Sequence, residues 1–555
     1  MRTSLLALSV VIAISCSSLW AEENAKSTPP VTTAPSAGSD TPMPITCSMY
    51  DPSLHLFVDD HHIRNIFAMK RVFGKPQKMD APILEDIPGR MVNWACVMRE
   101  PNGLFRAWYL SGAAVDLLEL WKAGVWGKEG NEFGYFPERH PDAIPETQLS
   151  VISYAQSKDG LNWVKPELGL IEWRGNKANN IVLDGANASK QYDRAVNNMD
   201  APSVIRDDAD PDPAKRYKMI NHWETFHIYD EYLAKIKRPE EVLKKLKEGR
   251  QKYLTTSPDG IHWDAPLVRI KNCSGGGDYC GVTRDERNGV YWFNDRGRRG
   301  VNDVSFRSAG LVTSKDLYTW PDTVEQVLVL GEYEDYGRRW EHHGMVPFNY
   351  GDQDLGFVEL CLSTKLDWTS VLVSHRDGQR WQFPNDRQPF LSLGPKGSFD
   401  DSIVLITRNT PVRVGDTLYI YYNGRHYEDN VKLGNKGYLC LATLRLDGFA
   451  GMQVDEAAVR RLEAPAKIQT QLLEIRNDQL EVNLAGHLGS AKVALQYDTA
   501  QPVEGCSLND CLPIDEDNVR AVVRWKNRKD LRDLKGKKVF VLVQLSSGTV
   551  WSVRL

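Results

Sequence analysis

The sequence predicts an all-β chain: a five-bladed β-propeller followed by a C-terminal β-sandwich. Three observations predict it. The phrase SKDGLNW (157–163) returns as SPDGIHW (257–263), SKDLYTW (314–320) and SHRDGQRW (374–381). Five strand pairs recur between residues 92 and 424. From 455 to 555 the chain turns instead to short alternating strands.

In each copy of the phrase, a Ser ends an apolar or alternating run and the next residues reverse the chain, most often through Asp-Gly. The Trp begins the return strand and is expected to lie back over the turn. Recurrence at similar intervals marks a repeat architecture, whose units cannot bury their faces alone. Four-stranded units arranged radially make a propeller.

The first 21 residues have a basic start, a short apolar run and small residues, which reads as a secretory signal too short to span a membrane. Cleavage after Ala21 fits ordinary export to a secreted or periplasmic location. Cys16 in AISC fits a bacterial outer-membrane lipoprotein anchor. Residues 22–45, rich in Pro, Ser and Thr, read as a disordered linker. The propeller is expected over 46–454 and the sandwich over 455–555.

The five strand pairs are 92–112 around EPNG, 200–223 around an Asp/Pro turn, 278–297 around DERNG, 341–361 around YGDQDLG, and 400–424 around VGD. At the heads of their first strands stand Asn93, Asp200, Asp278, Glu341 with His342 and His343, and Asp400 with Asp401. A propeller brings these heads to one axial cup. Carboxylates gathered there raise one another's proton affinity, which makes an acid and an ionised partner available at one pH. Single acids among them are as well explained as strand caps. Neighbouring residues on a strand face opposite ways, so one of His342 and His343 is expected to reach the axis.

Two insertions interrupt the pattern. Residues 115–146 are aromatic and acidic and placed to roof the cup; residues 229–250 read as a charged outer helix. DDADPDP (207–213) has a calcium loop's composition without its Gly and distal Glu, and reads as a turn. LFVDD (56–60) is expected in the strand that closes the ring. Eight cysteines besides Cys16 include no zinc-type CxxC pairs. Cys273/Cys280 and Cys506/Cys511 are candidate local disulfides, with buried thiols as the alternative.

A net charge of -5 argues against a nucleic-acid partner. The 16 Trp and 21 Tyr suit stacking against sugars, although core packing accounts for most of them.

The phrases LFVDDHHI (56–63), RYKM (216–219), DRQPFLSLGPKGSFD (386–400), VRVGDTLYIYYNG (412–424) and LATLRLDGFAG (441–451) resemble secreted bacterial proteins labelled invertase-like. The wider architecture resembles the invertase and levanase glycoside hydrolases and their arabinanase and xylosidase relatives. The resemblance implies a five-bladed propeller, a C-terminal sandwich and carbohydrate substrates. The chain departs from the invertase pattern where Asn93 stands in place of the nucleophile and where Asp200 lies in MDA rather than RDP. Glu359 of FVELC echoes the invertase acid, but it is expected too far along its strand pair to face the axis.

The leading reading is a secreted glycoside hydrolase that removes a terminal sugar. Glu341 is the acid and Asp200 the base or nucleophile, while Asp278 and Asp401 set proton affinities or bind hydroxyls. Asn93, Trp94, His342, His343, Asp400 and Arg425 bind substrate. No cofactor is required, no metal is a reactive centre, and a structural Ca2+ near the axis is the one ion allowed for. A non-catalytic carbohydrate-binding surface protein and a sugar phosphorylase are the alternatives. A phosphorylase would draw its phosphate site from the arginines of 295–300 or from Arg338 and Arg339.

Overall fold

A computed structural model describes residues 49–86, 91–112, 150–173, 175–184, 198–224, 251–263, 268–270, 279–301, 304–320, 340–362, 368–376, 380–426, 436–486 and 491–555. The described chain is built from strands. Its one α-helix, Glu456–Leu462, is capped by the Asp455 carboxylate on the Ala458 amide. Among the described residues no helix is long and apolar enough to cross a membrane.

Five antiparallel meanders follow one another. The first runs Met91–Arg99, Phe105–Gly112, Ser150–Ser157, Trp163–Val164, and the second Asn198–Arg206, Tyr217–Glu224, Gln251–Ser257, Val268–Arg269. The third is Cys280–Asp285, Val290–Val301, Val304–Ser314, and the fourth Trp340–Tyr350, Gln353–Leu362, Trp368–His375, Pro389–Leu391. The fifth is Ile403–Ile406, Thr417–His426, Lys436–Arg445, with Gln77–Lys78 added at its outer edge. All five strand pairs read from the sequence are hydrogen-bonded antiparallel pairs. In the fifth, the VGD turn closes a side hairpin, Val412–Val414 on Thr417–Tyr419, while Ile403–Ile406 pairs farther along the same strand.

The repeated phrase has one construction wherever it is fully described. Ser157, Ser257 and Ser314 Oγ accept from the amides of Gly160, Gly260 and Leu317. Asp159, Asp259 and Asp316 each accept two further amides, and Trp163, Trp263 and Trp320 Nε1 each donate back to a turn carbonyl. The Asx and Ser bonds fix the reversal, and the indole lies over it. Leu317 replaces the Gly of the other copies and keeps a positive φ of 65°.

Side chains join each meander to the next at first-strand amides. Val204 N meets Cys96 Sγ, Val282 N meets Ser203 Oγ, Met345 N meets Asn294 Oδ1, Ile406 N meets Ser370 Oγ, and Ala95 N meets Asn423 Oδ1. These links run first to second, second to third, third to fourth, fourth to fifth and fifth to first, so the chain of links closes. The turns repeat part of the order: Tyr421 OH donates to Gly160 O and Trp108 Nε1 to Gly260 O, and Trp292 meets Trp381 edge-on.

Ile181–Asp184 adds to Ser150–Ser157 of the first meander, and the strands outside the meanders form two further sheets. One orders Met69–Phe73, Ala450–Val454, Thr549–Arg554, Glu481–Ala485, Asn518–Val522, with Leu54–Leu56 also on Thr549–Arg554. The other orders Ile63–Phe67, Ala466–Thr470, Lys538–Leu545, Leu473–Glu474, with Lys492–Gln496 also on Lys538–Leu545. Both contribute to one apolar cluster that includes Met69, Ile468, Leu484, Val493, Val541, Val543 and Val550. LFVDD therefore does not close the ring. Leu54–Leu56 pairs with the last strand, and the strand added to the fifth meander is Gln77–Lys78. Cys506 and Cys511 are separate buried thiols, Cys511 receiving the Val493 amide, so the apolar cluster and not a disulfide holds this loop. Cys273 lies outside the described residues.

Candidate functional site

Bulges shape the heads of three first strands. Register shifts fall between Asn93 and Cys96, between Asp200 and Ser203, and between His342 and Gly344. A bulge leaves one residue unpaired and re-aims its side chain. Trp94 sits in the first bulge with φ 46°, a conformation that a bulky residue adopts only where its surroundings impose it. The surroundings do so from both sides: the Trp94 amide donates to Asn93 Oδ1, and the next amide, Ala95 N, to Asn423 Oδ1.

Trp94 there meets side chains from other meanders. The His343 ring stacks on it at 5.4 Å and 7°. Arg408, which follows the first strand of the fifth meander, lies between two aromatic faces, 4.4 Å from the Trp94 ring and 3.9 Å from Tyr279. Arg425 covers Trp94 from 5.4 Å and donates to Asn93 Oδ1. His343 also touches Trp368 and the edge of Tyr279, and its Nδ1 is 2.7 Å from Glu359 Oε2. Glu359, His343, Tyr279 and Arg408 are all buried. Burial and the nearby Glu359 charge push the Tyr279 hydroxyl well above its ordinary range, so it stays protonated and donates to Met345 O. Gly344 makes room for this ring, since a Cβ there would fall 2.0 Å from Tyr279.

Of the residues read from the sequence, the structure brings Asn93, Trp94, His343 and Arg425 together. His342 lies against Phe383 at 5.9 Å instead. Glu341 is half-buried in its strand opposite Cys361, with Oε2 3.9 Å from that sulfur. Asp400 is buried and engaged: Lys78 Nζ lies 2.6 Å from Oδ2, Tyr422 OH donates to the same oxygen, and Ser398 to Oδ1. Burial opposes charge on Asp401, but hydrogen bonds from Ser402, the Gly397 amide and His426 outweigh it and hold the carboxyl below its ordinary range. Asp200 lies in a first strand opposite His222, and its side chain is outside the described residues, as is Asp278 entirely. The segments 115–146, 229–250 and Arg338 and Arg339 are outside them too, with the side chains of 295–300.

Three residues escaped the sequence reading. Glu359, set aside as too far along its strand pair, lies opposite Gly344 with its carboxylate 2.7 Å from His343 Nδ1. Arg408 and Tyr279 carry no motif; a charged residue two positions after the apolar strand IVLI was the available signal for the first. The described side chains around Trp94 include the histidine-bound Glu359 carboxylate, the Asn93 amide and two guanidinium groups. DDADPDP is a turn whose Asp207 and Asp210 both pair with buried Lys218.

No protein-family model matches the chain, and no curated protein does. Solved structures resemble it distantly. One described as a glycoside hydrolase is 12% identical, with a TM-score of 0.41, covering 68% of this chain and 92% of its own. An N-acetylgalactosamine deacetylase from F. plautii, in complex with blood group B trisaccharide, is 15% identical, with a TM-score of 0.40 and coverages of 69% and 97%. A family 117 glycoside hydrolase from the marine bacterium Zobellia galactanivorans is 12% identical, with a TM-score of 0.37 and coverages of 67% and 91%. Likeness at this level carries no argument about activity.

Proposed function

We propose that the chain is an exported glycoside hydrolase whose five meanders are the blades of a propeller, with the last hundred or so residues and strands 54–73 forming a β-sandwich beside it. The closed order of side-chain links onto first-strand amides supports the five-bladed ring. A leader over 1–21, with Cys16 as an alternative lipid-anchor position, and a linker over 22–45 belong to the same proposal.

The observation that carries the activity is the convergence on Trp94 of groups far apart in sequence: His343, Arg425 and Arg408 surround one indole held in a strained bulge. Polar side chains fixed in place around one buried aromatic ring suit recognition of sugar hydroxyls. On this reading Glu341 protonates the departing oxygen, and Asp200 attacks the anomeric carbon or activates water. Asn93 and Arg425 donate to hydroxyls. Asp401, held ionised, accepts from a hydroxyl, and Asp278 joins it. His343, fixed by Glu359, positions the Trp94 face.

A second reading has an observation of its own. Asp400 and Asp401 are already engaged by Lys78, Tyr422, Ser402 and His426, which favours a carbohydrate-binding protein with fewer carboxylates available for chemistry. Incubating the purified mature chain with plant and algal oligosaccharides, with and without phosphate, separates the readings. Released monosaccharide is the expected result. Release only with phosphate would make it a phosphorylase, and binding without release from any sugar would select the binding protein.

A further inference from the structure

The first described segment carries a cluster that the sugar-site reading does not use. His55 lies in the strand Leu54–Leu56 and His62 just before Ile63–Phe67. Asp352 occupies the tight turn between Trp340–Tyr350 and Gln353–Leu362 of the fourth meander. His55 Nδ1 is 2.9 Å and His62 Nε2 2.6 Å from the same oxygen, Asp352 Oδ2. One ligand atom from each of the three lies within 4.8 Å of the others. Both imidazoles are more than nine-tenths buried, with rings 4.7 Å apart.

The backbone holds this geometry before any ion arrives. Asp51 N donates to Gly351 O, Gly351 N to Met49 O, and Asp352 N to Leu54 O. Gly351 has φ 59°, and a Cβ on it would fall 2.6 Å from Leu54 O. The turn and the strand are thus locked against each other around the three side chains.

Hydrogen bonding leaves the cluster incomplete. His55 Nε2 and Asp352 Oδ1 are buried without a hydrogen-bond partner among the described residues. Such atoms are costly to leave unpaired. Arg376 stands 3.7 Å from Asp352 Oδ1 but is already matched by Asp59 through bonds of 2.9 and 3.2 Å, and Arg287 donates to the Asp352 backbone carbonyl. Two imidazoles and one carboxylate are the donor set of zinc and of its first-row neighbours, and three protein ligands leave room for water.

We propose that His55, His62 and Asp352 bind one divalent transition-metal ion of the zinc type. The ion fastens the N-terminal strand to the turn of the fourth meander. Its role is to brace the fold, because none of the groups around Trp94 takes part in it.

The test is cobalt(II) titration of the full mature chain after chelator treatment, followed by visible absorption and by melting with and without zinc. The expected result is one equivalent bound, with absorption bands of a four- or five-coordinate ion, and a melting temperature a few degrees higher in zinc. His62→Gln should weaken cobalt binding at least about tenfold and remove the zinc-dependent shift. His62→Cys should bind cobalt with a new thiolate-to-metal band in the near ultraviolet, a signal that a hydrogen-bonding role does not produce. Absence of bands in the parent, or equal binding by parent and His62→Gln, would overturn the assignment. If His62→Gln fails to fold, the His62→Cys band decides: its absence in a folded variant overturns the site.

Discussion

The meanders and the C-terminal sheets solve the same problem in opposite ways. The two C-terminal sheets share a large apolar cluster that includes Ile468, Leu484, Val541 and Leu545. The meanders are also apolar between their sheets, but at their first strands they are joined by Cys96, Ser203, Asn294, Ser370 and Asn423, and Arg408 and Glu359 are buried near Trp94. Buried polar groups contribute little net stability and cost much when one partner is lost. Their concentration at the first strands marks where geometry, more than stability, is being held.

Truncation should be felt most in the apolar region. Leu545→Ala removes a fully buried side chain and should lower unfolding free energy in urea by about 3 kcal/mol, whereas Leu545→Met should cost under about 1.5 kcal/mol. Conserving size should not protect the polar links. Asn294→Leu keeps a similar volume but leaves the Met345 amide and the Gly310 carbonyl without their partner, and should cost roughly 1–3 kcal/mol in the same measurement. A smaller cost than that of Leu545→Met would erase the contrast between the regions.

The smallest effect belongs to the turns. Burial opposes charge on Asp259, but the His262 amide and ring and the Ile261 amide overcome it and hold the carboxyl at about 2. Because its folded value lies below the ordinary aspartate value of about 4, the stability it gives is present above that value and is lost as pH falls toward about 2. Asp259 is well exposed, so solvent keeps the effect modest. Urea midpoints of parent and Asp259→Asn should differ at pH 6 and converge as the pH approaches 2.

This contrast also separates what the sequence made legible from what it did not. The turn phrases were legible because Ser, Asp and Trp act within seven residues, and the three complete copies repeat each other's hydrogen bonds. Strand pairs joined by short turns were legible for the same reason. The bulge at 342–344 was not: it shifts register by one residue, leaves His343 unpaired in the ladder and sets Gly344 opposite Glu359, while the His343 ring keeps its contact with the Glu359 carboxylate. Pairing of Leu54–Leu56 with Thr549–Arg554 spans almost the whole chain and leaves no local mark. Asn93, Trp94, His343 and Arg425 were legible as strand-head and strand-end residues. Arg408, alone after an apolar strand, was not.

The account's central claim is that carboxylate chemistry takes place beside Trp94. It is tested most directly by the turnover of Glu341→Gln on whichever sugar the parent cleaves, with sugar affinity measured alongside. The account predicts turnover lower by about 100- to 10,000-fold with affinity within a few-fold of the parent. Turnover equal to the parent's in the folded variant would contradict it.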